Sequence, residues 1–81
     1  MSQRRSNERR FENWIELEDG GRRYWYDVLG RLGWMARYVK EVDSSEKTMR
    51  FYQEIYDGHG QLVEVHHKYP EDTGHQRVGE E

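Results

Sequence analysis

Clusters of turn-forming residues divide this chain into short segments, and this spacing limits the folds that it can adopt. Asp19-Gly20-Gly21, Asp43-Ser44-Ser45-Glu46-Lys47 and Asp57-Gly58-His59-Gly60 are all rich in residues that favour tight turns. Between them, apolar and polar residues alternate with a period of two, which is typical of strands with one buried face. The clearest example covers residues 48–56. The sequence therefore predicts a mainly β protein.

Five strands are predicted from this alternation, and the short turns favour antiparallel pairing between neighbours. The predicted segments are 11–18, 22–28, 34–42, 48–56 and 61–67. We expect a single small antiparallel sheet or meander. On the first strand, Phe11, Asn13, Ile15 and Leu17 form the predicted buried face. The alternative is an α+β fold with a short N-terminal helix, because residues 9–17 also show apolar residues at helical spacing.

A chain of 81 residues is enough for one domain with a thin core. Hydrophobic residues make up 33% of the sequence and aromatic residues alone 14%, so aromatic rings must supply much of that core. Residues 1–10 are polar and rich in arginine, and we expect them to form a flexible, disordered basic arm. The β-rich domain is expected over residues 11–69, and a polar, irregular tail over residues 70–81.

The absence of cysteine excludes disulfides, thiolate metal sites and a cysteine nucleophile. No apolar run approaches the roughly 18 residues that a membrane span requires. The first residues also lack the apolar stretch that follows the charges of a signal peptide. We therefore expect a cytoplasmic protein that has no membrane partner.

Residues 26–32 and residues 56–62 both read Tyr-Asp-x-x-Gly-x-Leu. An Asp side chain can bond the backbone two residues ahead, and Gly can adopt the positive φ that ends a turn, so two related hairpins are predicted. The pattern resembles the YD or RHS repeats of bacterial proteins, whose strand-turn-strand units stack into large β-sheet shells. This resemblance implies a small bacterial protein linked to toxin, immunity or surface systems, and it assigns no functional residue.

The surplus of tryptophan, tyrosine and arginine indicates a binding surface, because these residues are enriched at interface hot spots. A small sheet without covering helices also leaves one face and two edges exposed. We therefore predict a non-enzymatic module that binds a protein partner or forms a homodimer. The predicted binding residues are Trp14, Arg22, Arg23, Trp25, Tyr52 and Tyr56.

Nucleic-acid binding is a second function that the sequence allows. The basic arm leads to residues 22–26, where guanidinium groups adjoin aromatic rings that could stack on bases. The formal net charge of −3 opposes this interpretation, although a local basic patch is compatible with it.

A metal site is a third possibility, as a metal-binding protein or a metal-dependent nuclease. Its candidate ligands are His59, Glu64, His66 and His75. Neighbouring residues of a strand point to opposite faces, so His66 and His67 cannot both share a site with Glu64. The sequence lacks a zinc motif with the usual two-plus-two spacing. We therefore expect no cofactor and no catalytic residue.

Overall fold

The computed structural model describes residues 2–71 and 74–78, which form one helix followed by a six-stranded sheet. The elements are α1 (Gln3–Arg10), β1 (Asn13–Glu16), β2 (Arg22–Leu29), β3 (Met35–Val42), β4 (Thr48–Tyr56), β5 (Leu62–Tyr69) and β6 (Gly74–Arg77), with a short 3₁₀ turn at Arg31–Gly33. Every strand pairs antiparallel with its sequence neighbour. The predicted mainly β antiparallel meander is confirmed, with a short sixth strand where the tail was expected to be irregular.

Helix α1 occupies most of the segment that was expected to be a flexible arm, and that prediction is wrong. The Ser2 hydroxyl caps the helix by accepting a hydrogen bond from the Arg5 amide at 3.1 Å. The predicted alternative did contain a short helix, but α1 ends at Arg10, before most of the segment proposed for it. In the described part of the chain, no helix is long and apolar enough to cross a membrane.

The core lies where the chain leaves α1 and crosses the sheet. Phe11 is fully buried there with Tyr24 and Val42, and Tyr26 packs against this group. The Phe11 ring centroid lies 5.9 Å from that of Tyr24 and 5.5 Å from that of Tyr26, both in tilted arrangements that aromatic pairs favour. The core is therefore aromatic, as the composition requires.

The two faces of the sheet differ in what covers them. Directly paired residues of neighbouring strands share a face. The helix-side face, which α1 and Phe11 contact, includes Tyr24, Lys40 and Phe51 in register. The opposite face, which we call the open face, includes Trp25, Val39, Tyr52 and His67 in register.

Strand β1 is shorter than predicted, and its predicted buried face is wrong in part. Phe11 is buried, but it precedes the strand and owes its burial to the end of α1. Asn13 and Ile15 belong to the open face and are exposed, as is all of β1. Alternation correctly indicated a strand, but it could not tell which face of the strand would be covered.

Three hairpin turns share one backbone geometry. In each, the first residue donates its amide to the carbonyl of the residue four positions later, as in a type I turn with a bulge. The fourth residue has a positive φ, which is 86° at Gly20, 66° at Glu46 and 80° at Gly60. In the turns that begin at Asp43 and Asp57, the aspartate Oδ1 also accepts backbone amides two and four residues later.

Of the two copies of the Tyr-Asp-x-x-Gly-x-Leu repeat, only the second, at residues 56–62, forms this turn. Asp57 and Gly60 act as predicted. In the first copy, Asp27 lies inside β2 and is paired with Arg37, and Gly30 has a φ of −103°. The two copies are therefore not equivalent hairpins, and the resemblance to YD repeats stays a prediction.

The carboxylate of Glu46 joins α1, the sheet and the β3–β4 turn. It accepts hydrogen bonds from Arg4 Nε at 3.2 Å, Asn7 Nδ2 at 3.0 Å and the Tyr24 hydroxyl at 2.9 Å, and its side chain is 9% exposed. Burial alone would raise the pKa of Glu46, but these hydrogen bonds outweigh burial and hold the pKa below 4.5. This network also compensates for a backbone conformation that favours glycine.

Glu46→Gln tests this network, because it removes the charge and keeps the side-chain shape. A carboxylate with a lowered pKa in the folded state adds stability above its unfolded pKa, and that stability is lost as the pH falls through the folded pKa. We expect the variant to lose about 1–3 kcal/mol of unfolding free energy at neutral pH. Its stability should also depend less on pH below 4.5.

Urea unfolding at neutral and acidic pH measures both effects. Glu18→Gln, at an exposed position of the β1–β2 turn, removes the same charge and is the control. An unfolding free energy for Glu46→Gln equal to that of the control would contradict the assigned role.

Candidate functional site

Three parallel rows of side chains cross the open face, each with one residue from β2, β3 and β4 in register. The first charged row consists of Arg23, Glu41 and Arg50. The aromatic row consists of Trp25, Val39 and Tyr52. The second charged row consists of Asp27, Arg37 and Glu54. The face thus has an apolar centre between two charged borders.

Val39 and Tyr52 form a buried floor on this face, although no described helix or strand packs over them. They are 2% and 8% exposed, and side chains of both charged rows border them. A shallow depression of about 230 Å³ opens above this floor, with Trp25 in its wall. Burial raises the pKa of the Tyr52 hydroxyl, and the charge of Glu41 raises it further, so the phenol stays neutral.

Glu41 holds the first charged row together. Its carboxylate accepts hydrogen bonds from Arg23 Nε at 2.7 Å and from Arg50 Nε at 3.1 Å. Burial alone would raise the pKa of Glu41, but the two arginines outweigh burial and lower it. The Arg50 guanidinium also lies 4.9 Å from the centroid of the Tyr52 ring. Both arginines of the row are therefore paired and ordered.

Arg37 is the ordered centre of the second charged row. It donates two hydrogen bonds to Asp27, at 2.8 and 3.2 Å, in the bidentate geometry that guanidinium and carboxylate groups favour. Its guanidinium carbon lies 5.9 Å from the Trp25 ring centroid and 5.6 Å from that of Tyr56. The Tyr56 hydroxyl in turn donates to Glu54 at 3.0 Å.

The structure brings four of the six predicted binding residues together. Arg23, Trp25, Tyr52 and Tyr56 lie on the open face. Trp14 does not, because it pairs with Tyr24 and therefore lies on the helix-side face.

Arg22 is also on the helix-side face, where its role is structural. It is buried and donates to Glu8 and Glu16, each at 2.7 Å, and its guanidinium lies 5.3 Å from the Trp14 ring centroid. These contacts attach α1 and β1 to β2. Adjacent residues of a strand point in opposite directions, which separates Arg22 from Arg23.

The charged partners on the open face were missed from the sequence. The sequence did contain a pattern that could have revealed them. In each of three strands, an arginine, an aromatic or aliphatic residue and an acidic residue follow one another at alternate positions. These triplets are 23–25–27, 37–39–41 and 50–52–54. They become rows only when the register of the strands is known.

The predicted metal ligands do not form a cluster among the described residues. His59 is exposed in the β4–β5 turn, whereas Glu64 and His66 lie on the helix-side face of β5. The side chain of His75 lies outside the described part of the chain. Residues 2–71 and 74–78 contain no group of three or more potential His, Asp or Glu ligands. His67 instead packs on the open face, with its ring centroid 5.5 Å from that of Tyr52.

No family model, curated protein or solved structure matches this chain. Its own residues therefore carry the functional argument. The open face combines ordered arginines with partly exposed Trp25 and Tyr56, which is the composition of a protein-binding surface. We treat this face as the candidate site.

Trp25→Ala and Tyr24→Ala separate the candidate site from the core, because the two residues are adjacent but face opposite sides. We expect Trp25→Ala to lower the unfolding free energy by about 1 kcal/mol, since its ring is only partly buried. Tyr24 is 0% exposed, so Tyr24→Ala should lower the unfolding free energy by about 3–5 kcal/mol. Urea unfolding measures both values, and equal losses would contradict this division.

Proposed function

We propose that this protein is a non-enzymatic, self-associating module in which two copies pack their open faces together as a homodimer. One observation carries the proposal. On each of β2, β3 and β4, the residue of the first charged row and the residue of the second charged row have opposite charges. The pairs are Arg23 and Asp27 on β2, Glu41 and Arg37 on β3, and Arg50 and Glu54 on β4.

A twofold axis along the aromatic row makes this surface complementary to itself. Rotation about that axis places the first charged row of one copy over the second charged row of the other. Every arginine then faces a carboxylate of the partner, as a symmetric interface requires. Packed sheets lie about 10 Å apart, a distance that long charged side chains can span from both sides.

The aromatic row supports the same arrangement. It lies on the axis, so the Trp25 rings of the two copies would meet and cover the depression above Val39 and Tyr52. Arg37 is already held by Asp27 and two aromatic rings, so ordering it at an interface costs little further entropy.

A protein partner fits this face better than a nucleic acid does. Arg23, Arg37 and Arg50 are all paired with carboxylates of the same face. Lysine and arginine side chains bind nucleic acids by replacing the counterions condensed around the phosphates, and these three arginines already have carboxylate partners within the chain.

The location and source of the protein belong to the same proposal. A cytoplasmic location is supported by the cysteine-free sequence. A bacterial source is supported by the resemblance to YD repeats.

Two charge-reversal variants test the geometry. In the proposed dimer Glu41 of one copy faces Arg37 of the other, so Glu41→Arg or Arg37→Glu alone creates two like-charge contacts per dimer. We expect each variant alone to associate at least about 100-fold more weakly than the natural chain. An equimolar mixture of the two should recover association, because in the mixed dimer every pair of charged residues that face each other again has opposite charges. Sedimentation equilibrium over a concentration series measures all three samples.

Glu18→Arg, in the exposed β1–β2 turn, changes the net charge by the same amount as Glu41→Arg and should leave the dimer intact. Circular dichroism checks that each variant is folded. A natural chain that stays monomeric at all concentrations would overturn the proposal. A dimer that survives each single reversal, or is not restored by mixing, would place the interface elsewhere.

A further inference from the structure

A second concavity, of about 350 Å³, lies on the helix-side face beside the end of α1. Three cations line it, and they are Arg10, Lys40 and Lys47. Three rings also line it, and they are Phe11, Phe51 and Tyr69. Lys40 and Phe51 are in register on β3 and β4 and form the floor, and Tyr69 of β5 pairs with Phe51 beside a register shift. We call this site the basic pocket.

The cations of the basic pocket differ from those of the open face. Within residues 2–71 and 74–78, none of the three is ion-paired. Lys40 Nζ donates to Asn7 Oδ1 at 2.9 Å, which leaves two of its three protons available. Glu46 attracts Lys40 electrostatically, but the Glu46 oxygens already accept three other donors.

Lys40 is held in surroundings that disfavour its charge. Burial lowers the pKa of Lys40, and the neighbouring charge of Arg10 lowers it further. A bound anion would offset both effects, because it would neutralise Arg10 and Lys40 together. Three cations around one concavity suit a phosphate better than a single carboxylate.

The rings of the basic pocket give it a second kind of contact. Phe11 and Phe51 meet edge to face with centroids 6.4 Å apart, and Tyr69 remains 45% exposed at the rim. Lys68 adds a further cation beside them, with Nζ 5.9 Å from the Phe51 centroid. Phe11 is fully buried, so Phe51, which is partly exposed, and Tyr69 are the rings that a ligand can reach. Accessible rings next to cations are the features by which proteins stack the bases and hold the phosphates of single-stranded nucleic acids. The volume falls within the range of small-molecule sites.

We propose that the basic pocket binds a nucleoside monophosphate unit. Its phosphate lies among Arg10, Lys40 and Lys47, and its base stacks against Phe51 and Tyr69. The unit is either a free nucleotide or one residue of single-stranded RNA or DNA. Exposed arginines at positions 5 and 9 of α1 provide further positive charge for neighbouring phosphates of a strand. The basic pocket faces away from the open face, so dimerisation leaves it accessible.

Titration of isotope-labelled protein, followed by amide chemical shifts, tests this site. The probes are thymidine monophosphate, a short oligothymidylate and inorganic phosphate. We expect the first two to shift the amides of Lys40, Thr48 and Phe51. The double variant Arg10→Gln/Lys47→Gln should weaken binding about tenfold or more. Arg31→Gln, an exposed cation in the 3₁₀ turn at the other end of the sheet, is the control and should change affinity less than about twofold.

Tyr69→Ala tests the stacking contact separately. This partly exposed ring should be removable without loss of the fold, which circular dichroism checks. Binding of thymidine monophosphate should weaken about tenfold, whereas binding of inorganic phosphate should not change. Equal affinity of the mononucleotide and the oligomer indicates a free nucleotide as ligand. Much tighter, salt-sensitive binding of the oligomer indicates a nucleic-acid strand.

Three results would overturn the proposal. One is the absence of amide shifts in the basic pocket with both nucleotide probes. Another is that inorganic phosphate binds as tightly as thymidine monophosphate and that Tyr69→Ala does not weaken binding of the mononucleotide. The last is a loss of binding in Arg31→Gln as large as in the double variant, because that result would indicate charge attraction without a site.

Discussion

The buried carboxylate of Glu46 is the interaction on which the rest of the structure depends. Its two oxygens accept hydrogen bonds from Arg4 and Asn7 of α1 and from Tyr24 of β2. A buried group of this kind is costly when any partner is removed, because the remaining polar atoms lose their hydrogen bonds. The network keeps α1 over the sheet, and α1 in turn brings Phe11 over Tyr24. Core and polar network therefore depend on each other.

The open face and the basic pocket differ in how their positive charges are paired. On the open face, strand register pairs every arginine of the charged rows with a carboxylate, so that this face is ordered and locally balanced. Around the basic pocket, the Glu46 carboxylate is bonded to other donors, and among the described residues Arg10, Lys40 and Lys47 form no ion pair. The first arrangement suits a surface that meets its own copy, and the second suits an anion.

Five of the six strands, their antiparallel order and the turn positions could be predicted from the sequence, because they depend on local alternation and on Asp and Gly. Helix α1 could not, since it buries Asn7 and carries no apolar stripe for a pattern to reveal. Trp14 and Arg22 were assigned to the wrong surface because the sequence does not show which face α1 covers. The charged rows needed the register of three strands, which depends on tertiary pairing. Trp25, Tyr52 and Tyr56 were predicted because their residue types alone favour binding surfaces, and the structure places all three on the open face.

The position of Glu46 also has a consequence for the order in which the chain can fold. Each pair of neighbouring strands is closed by a short connection, so the sheet can grow from local hairpins at small entropic cost. The contacts of α1 with Glu46 span 39 and 42 residues. Helix docking therefore needs the β3–β4 turn to exist already, since that turn presents the carboxylate. The element at the start of the sequence is accordingly expected to reach its native place late, after the middle of the chain has assembled.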